Sequence, residues 1–100
     1  MYARVTSFHG QPGTTDEGIR NFESLTSQLR GIKGFISTQL LVDRTANTAI
    51  VVTLYETLAD LEAGTAFFQQ SMANPSLAAI LAGPPVVAVY EVAVQVAAQR

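Results

Sequence analysis

Residues 34 to 57 read Gly34-Phe-Ile-Ser-Thr-Gln-Leu-Leu-Val-Asp-Arg-Thr-Ala-Asn-Thr-Ala-Ile-Val-Val-Thr-Leu-Tyr-Glu-Thr57. Two runs rich in β-branched and aromatic residues flank the polar segment Asp43 to Thr48, whose Asp and Asn tolerate the turn conformations that reverse a chain. The stretch predicts a long β-hairpin. If its strands pair in even register, Ser37, Gln39, Thr53 and Tyr55 share one face.

The flanks supply the elements that would cover this hairpin. Upstream, Tyr2 to Phe8 alternates bulky and small residues without a breaker and predicts a strand, ended by Gln11-Pro12-Gly13. Thr14 stands three residues before Glu17, the spacing of a capping box, so a helix is expected to begin there. Ile19, Phe22, Leu25 and Leu29 follow at helical spacing, with Gly31 placed to end the helix. Downstream, Thr57 can cap a second helix with Asp60 in its first turn. Leu58, Leu61, Thr65, Phe68 and Met72 make its expected buried stripe. Pro75 breaks it, and Asn74-Pro75 reads as the cap and first residue of a short third helix through Leu81. Pro84 and Pro85 lead into a last strand, Val86 to Val96, followed by a loose tail from Ala97 to Arg100.

Strand, helix, strand, strand, helix, strand is the split β-α-β order of the ferredoxin-like α+β class. Right-handed crossovers then place the first and third strands centrally in a four-stranded antiparallel sheet, with both helices on one face. The other face ought to be polar in a lone two-layer domain. Here Ile50, Val52 and Leu54 alternate with Ala49, Val51, Thr53 and Tyr55, and the last strand repeats the pattern, so both faces are apolar. A second copy packed on the open face is the simplest cover, giving a two-fold homodimer.

Composition agrees. At 100 residues the chain predicts one domain spanning 1–100. Its hydrophobic share is 48% and its charged share only 14%, well under the usual quarter or so, which argues for self-association. The net charge of −2 and scattered cations give no footprint for nucleic acid. Cysteine is absent, which fits a reducing cytoplasm, and neither a signal peptide nor a membrane span is legible. One histidine and dispersed carboxylates give no metal-ligand cluster.

Gly34-Phe35, Leu41-Val42-Asp43-Arg44, Val51 to Glu56 leading into Leu-Ala-Asp-Leu-Glu, and the closing Tyr90-Glu91-Val92 together resemble the antibiotic biosynthesis monooxygenase-like (ABM) proteins of the dimeric α+β barrel superfamily. The resemblance implies a homodimer with a small-molecule cavity between sheet and helices in each protomer. It also implies a cofactor-independent monooxygenase acting on an aromatic or polyketide-like compound with molecular oxygen. A non-catalytic ligand-binding or stress-associated dimer on the same scaffold is the alternative, because fold does not fix function. Relatives that degrade haem use an Asn on the first strand together with a Trp and a His. This chain has no Trp, its one histidine is His9, and Ser7 sits near the place expected for the strand Asn, which argues against that activity.

A cofactor-free oxygenase site needs an apolar cavity and a few polar groups to hold a phenol or enol. Candidate catalytic residues are Tyr55 and His9, the latter as a side chain that titrates near neutrality in general. Candidate ligand-binding residues are Phe22, Gln39, Thr53, Tyr55, Phe67, Phe68 and Tyr90. The competing reading makes the aromatics ordinary core residues and His9 an exposed loop neighbour. Arg4, Glu56 and Glu91, all on expected strands, suggest a structural ion pair from Arg4 to one of the two glutamates.

Overall fold

The hairpin turn sets the geometry of the sheet. In the computed structural model, which describes residues 1–73 and 75–98, Asp43 Oδ1 accepts hydrogen bonds from the backbone N–H groups of Thr45 and Ala46, each at 3.0 Å. Asn47 then takes a positive φ of 57°, a conformation that Asn tolerates better than most residues. The strands on either side are β2 (Phe35–Asp43) and β3 (Thr48–Tyr55). The Asn47 carbonyl accepts from Gly10 N–H at 2.7 Å, tying the turn to the end of β1 (Tyr2–His9).

Four strands form one antiparallel sheet in the order β2-β3-β1-β4, where β4 is Val86–Glu91. Helices α1 (Thr15–Leu29), α2 (Leu58–Met72) and α3 (Pro75–Ile80) complete the ferredoxin-like α+β fold, with α1 and α2 against one face. That face is set by the residues that pair across the ladders. Arg4 stands opposite Thr53 and Val89, and Thr6 opposite Val51 and Val87. Thr38 and Leu40 of β2 join them opposite Thr53 and Val51. Beneath the helices, Val51, Thr53 and Tyr55 are all buried, as are Leu29, Leu61 and Ile80 on the helices themselves.

Several expectations are corrected. Thr14 occupies the α1 cap position but makes no capping bond. Its hydroxyl donates to the Gln11 carbonyl at 2.6 Å and lies 3.4 Å from that of Ile80, so it fastens the loop to α3 instead of closing a box with Glu17. Leu58, the first residue of α2, is exposed, whereas Leu61 one turn on is almost fully covered. The Thr57 cap holds, its side chain accepting from Asp60 N–H at 3.0 Å. Helix α3 ends at Ile80, because Leu81 leaves it to form a β-bridge with Gly10. The proposed cap Asn74, the Met72 side chain and the tail residues Gln99 and Arg100 lie outside what is described.

The last strand stops five residues early, at Glu91 instead of Val96. The cause is its partner: Glu91 pairs with Tyr2, the first residue of β1, and Val92 N–H donates to the Met1 carbonyl at 3.0 Å. The Arg4 ion pair is absent too. Glu91 is opposite Tyr2, and Glu56 lies beyond the end of β3, so both glutamates stay exposed while Arg4 goes under the helices. Among the described residues the salt bridge that forms is Arg44 to Asp16 at 3.0 Å, between two exposed side chains.

Two glycines let backbone and side chains approach closely. Gly34, with φ of 76°, turns the chain into β2 directly against the Asp60 side chain. Gly64 on α2 faces the ring and hydroxyl of Tyr55 so closely that a Cβ there would overlap them. A residue without a side chain brings α2 down onto the sheet.

Candidate functional site

Helix α1 presents a stripe of Gly18, Phe22, Leu25 and Leu29 to the sheet, and α2 presents Phe67, Phe68 and Ser71. The two do not close completely over β1, β3 and β2. Between them lies a cavity of about 130 Å³, floored by Arg4, Phe8, Thr38, Leu40, Val51 and Thr53 and closed at one end by Leu77 and Ile80 of α3. Its surface is mostly apolar. A dry apolar space of roughly this size accommodates one benzene-sized ring.

Few polar groups reach it. Thr38 and Thr53 are joined through their hydroxyls at 3.0 Å across the β2–β3 ladder. Ser71 Oγ donates to the Phe67 carbonyl at 3.1 Å, a bond internal to its helix. Asn21, one helical turn before Leu25, places a buried Nδ2 without a hydrogen-bond partner in the wall. The strongest charge is Arg4, a side chain only 2% exposed. Its Nη1 donates to Thr65 Oγ1 at 3.0 Å, and its Nε is buried with no partner. The guanidinium carbon lies 4.8 Å from the centre of the Phe68 ring and 5.6 Å from that of Tyr55. Phe68 in turn meets Phe8 with ring centroids 6.4 Å apart.

The candidates from the sequence divide cleanly. Phe22, Thr53, Phe67 and Phe68 line the cavity together. Gln39 does not: the hairpin pairs Phe35 with Tyr55, but a bulge between Phe35 and Ser37 changes the register, and Gln39 ends opposite Val52 on the open face. Even register therefore holds only at the first pair, and Ser37 and Gln39 are separated from Thr53 and Tyr55. Tyr90 is likewise on the open face, opposite Ala3 and 58% exposed. Tyr55 is completely buried beside the cavity, not in its wall, stacked edge-on with Phe35 at 6.2 Å. His9 is exposed at the end of β1, with Ser7 on the same open side of the strand; Thr6 is the neighbour that turns under the helices.

Arg4 and Asn21 were the residues that sequence reasoning missed as site members. Asn21 had a legible signal, being a polar side chain in step with Leu25 and Leu29 on the buried stripe. For Arg4 the signal was its parity with Thr6 and Phe8, outweighed by the expectation that a strand cation finds a glutamate. Among the described residues, no cluster of His, Cys, Asp or Glu is arranged to hold a metal ion. None of the helices described is long and apolar enough to cross a membrane.

Solved structures share this architecture. A candidate antibiotic biosynthesis monooxygenase from Caulobacter crescentus matches with a TM-score of 0.75 at 24% identity, over 94% of this chain and 90% of its own. Another from Nitrosomonas europaea matches with a TM-score of 0.77 at 16% identity, over 94% of this chain and 100% of its own. A mutant of MhuD crystallised with two manganese protoporphyrin IX molecules per active site matches at 0.71 and 20% identity, over 98% of this chain and 100% of its own. At these identities the likeness establishes the fold. Among curated proteins, none matches the sequence. The family model for antibiotic biosynthesis monooxygenase matches residues 1–71, which include β1, α1, the hairpin and most of α2, and the chain therefore belongs to the antibiotic biosynthesis monooxygenase family.

Proposed function

We propose that this protein is a cytoplasmic homodimer that binds an aromatic or polyketide-like small molecule between sheet and helices and oxidises it as a cofactor-independent monooxygenase. The observation that carries the reading is the cavity itself: an apolar space of about 130 Å³ with aromatic walls from Phe22, Phe67 and Phe68 and a few polar groups on its floor. It takes one ring of a larger substrate. The chemistry suited to it draws electrons from the substrate: an activated CH₂ next to an electron-rich ring reacts with O₂ to give C=O and water, with no external reductant. The protein's share is to exclude bulk water, hold the ring, and favour its ionised form.

One observation favours the second reading, a non-catalytic binder on the same scaffold. Neither a carboxylate nor an imidazole lines the cavity, so within the described protomer no side chain is placed as a proton acceptor. The MhuD mutant binds manganese protoporphyrin, but the space here matches a single ring better than a tetrapyrrole. Oxygen uptake with a panel of phenols and anthrone-like compounds separates the readings. Turnover by the wild type, reduced at least about tenfold by a cavity-filling Leu25→Trp, is expected for the oxygenase. Tight binding of the same compounds without oxygen consumption would leave only the binder.

A further inference from the structure

We propose that the cavity selects an anion: its occupant is a ring bearing an oxyanion, either an ionised phenol or enol or a carboxylate, drawn in by the Arg4 guanidinium. The inference deepens the small-molecule reading above and rests on it.

Arginine side chains keep their positive charge under all conditions in which proteins are folded, and burying such a charge without an opposite one costs several kcal/mol. Arg4 is 2% exposed and lies in the cavity floor. None of the chain's eight Asp and Glu side chains approaches it within ion-pair distance; the salt bridge that does form among the described residues is elsewhere, on the surface. What Arg4 does have is neutral: one hydroxyl, Thr65 Oγ1, and the faces of Phe68 and Tyr55. These aromatic faces and the hydroxyl hold the guanidinium in place and offset part of its burial, yet they leave Nε with a buried N–H and no acceptor.

A second donor points to the same kind of occupant. Asn21 Nδ2, from the α1 wall, is also buried without a partner, so two elements of the cavity lack acceptors. An oxyanion would supply acceptors and the missing negative charge together, and charge-assisted bonds of this kind are about twice as strong as neutral ones. The ring attached to it would lie against Phe22 and Phe67. A phenol or enol that leaves its proton with bulk water on entering is held as its anion, which is the electron-rich form that reacts with oxygen. That assigns Arg4 a role in substrate ionisation without a general base.

The test uses 4-nitrophenol, whose ionised form has its own absorbance band, titrated with the whole protein in excess. A positive charge at close range lowers the ionisation midpoint of a bound phenol, and a downward shift of about 1 to 3 pH units is expected. Benzoate is expected to displace it at least about tenfold more tightly than benzamide, which has the same shape and no charge. Arg4→Met is expected to remove both effects. The wild-type titration is decisive alone, should that variant fail to fold. If 4-nitrophenol binds with an unshifted or raised midpoint and benzamide also equals benzoate, the anion proposal is overturned and the small-molecule reading stands. If benzoate shows the preference but the phenol no shift, the occupant is a carboxylate and the ionisation role falls. Failure of these anions and of nitrobenzene alike to bind would remove the cavity reading as well.

Discussion

Tyr55 and Thr6 are completely covered, yet neither of their hydroxyls has a hydrogen-bond partner in the protein. A buried hydroxyl left unsatisfied costs about 1 to 3 kcal/mol, so deleting it can raise stability. Tyr55→Phe keeps the ring that stacks on Phe35 and faces Arg4, and removes only the orphan. It is expected to raise the midpoint of chemical denaturation, or leave it unchanged, and to preserve ligand binding and any oxygen uptake. Loss of turnover with unchanged stability would return Tyr55 to the catalytic role that its place on a strand first suggested. For the four aromatic or hydroxyl residues that do meet in the cavity, helical spacing and strand alternation were sufficient guides. The preference of a strand cation for a carboxylate is a local rule, and it misplaces Arg4 because the fold sets the guanidinium against aromatic faces and one hydroxyl, which offset only part of its burial.

The hairpin shows why elements are more legible than their register. Alternation located β2 and β3 to within a residue, and the Asp43 and Asn47 signals placed the turn. Four turn residues, Arg44 to Asn47, then join strands paired Asp43 to Thr48, and this fixes an odd register that the bulge after Phe35 converts back at the far end. A bulge is one extra residue with no distinctive composition. Gln39 lies on the turn side of the bulge, so the length of the turn alone puts it opposite Val52, away from the face of Thr53. The positive φ of Asn47 gives this element its own test. Asn47→Ala is expected to lower stability by about 1 kcal/mol, and Asn47→Gly to leave it nearly unchanged, as measured by thermal or denaturant unfolding. Equal losses in the two variants would mean that side-chain contacts of Asn47, not its backbone, hold the turn.

For the molecule as a whole, the unresolved demand is the sheet face away from the helices. Val5, Val52, Leu54 and Ala88 are half-buried there in the single chain, and Leu41, Ile50, Val86 and Tyr90 are exposed. The edge strand β4 is bare on its other side too, where Val87 and Val89 lie outside the reach of α1 and α2. Apolar surface this continuous supports the proposed homodimer. Val52→Asp, at the middle of that face, is expected to convert a dimer to a monomer in sedimentation velocity across a dilution series; a wild type that sediments as a monomer at every concentration would end the proposal. The fold order was readable because breakers and stripes are local, and the end of β4 was not, because it depends on where a different strand begins. Gly64 carries the last consequence. With a bare Cα pressed on the Tyr55 ring, the vertical clearance under α2 is set by the absence of one methyl group, and Phe67 and Phe68 ride on the same helix one turn further along. Any bulkier residue there acts as a shim: it lifts the roof of the chamber while leaving every residue of its lining unchanged, so the size of guest admitted is governed from a position the guest never touches.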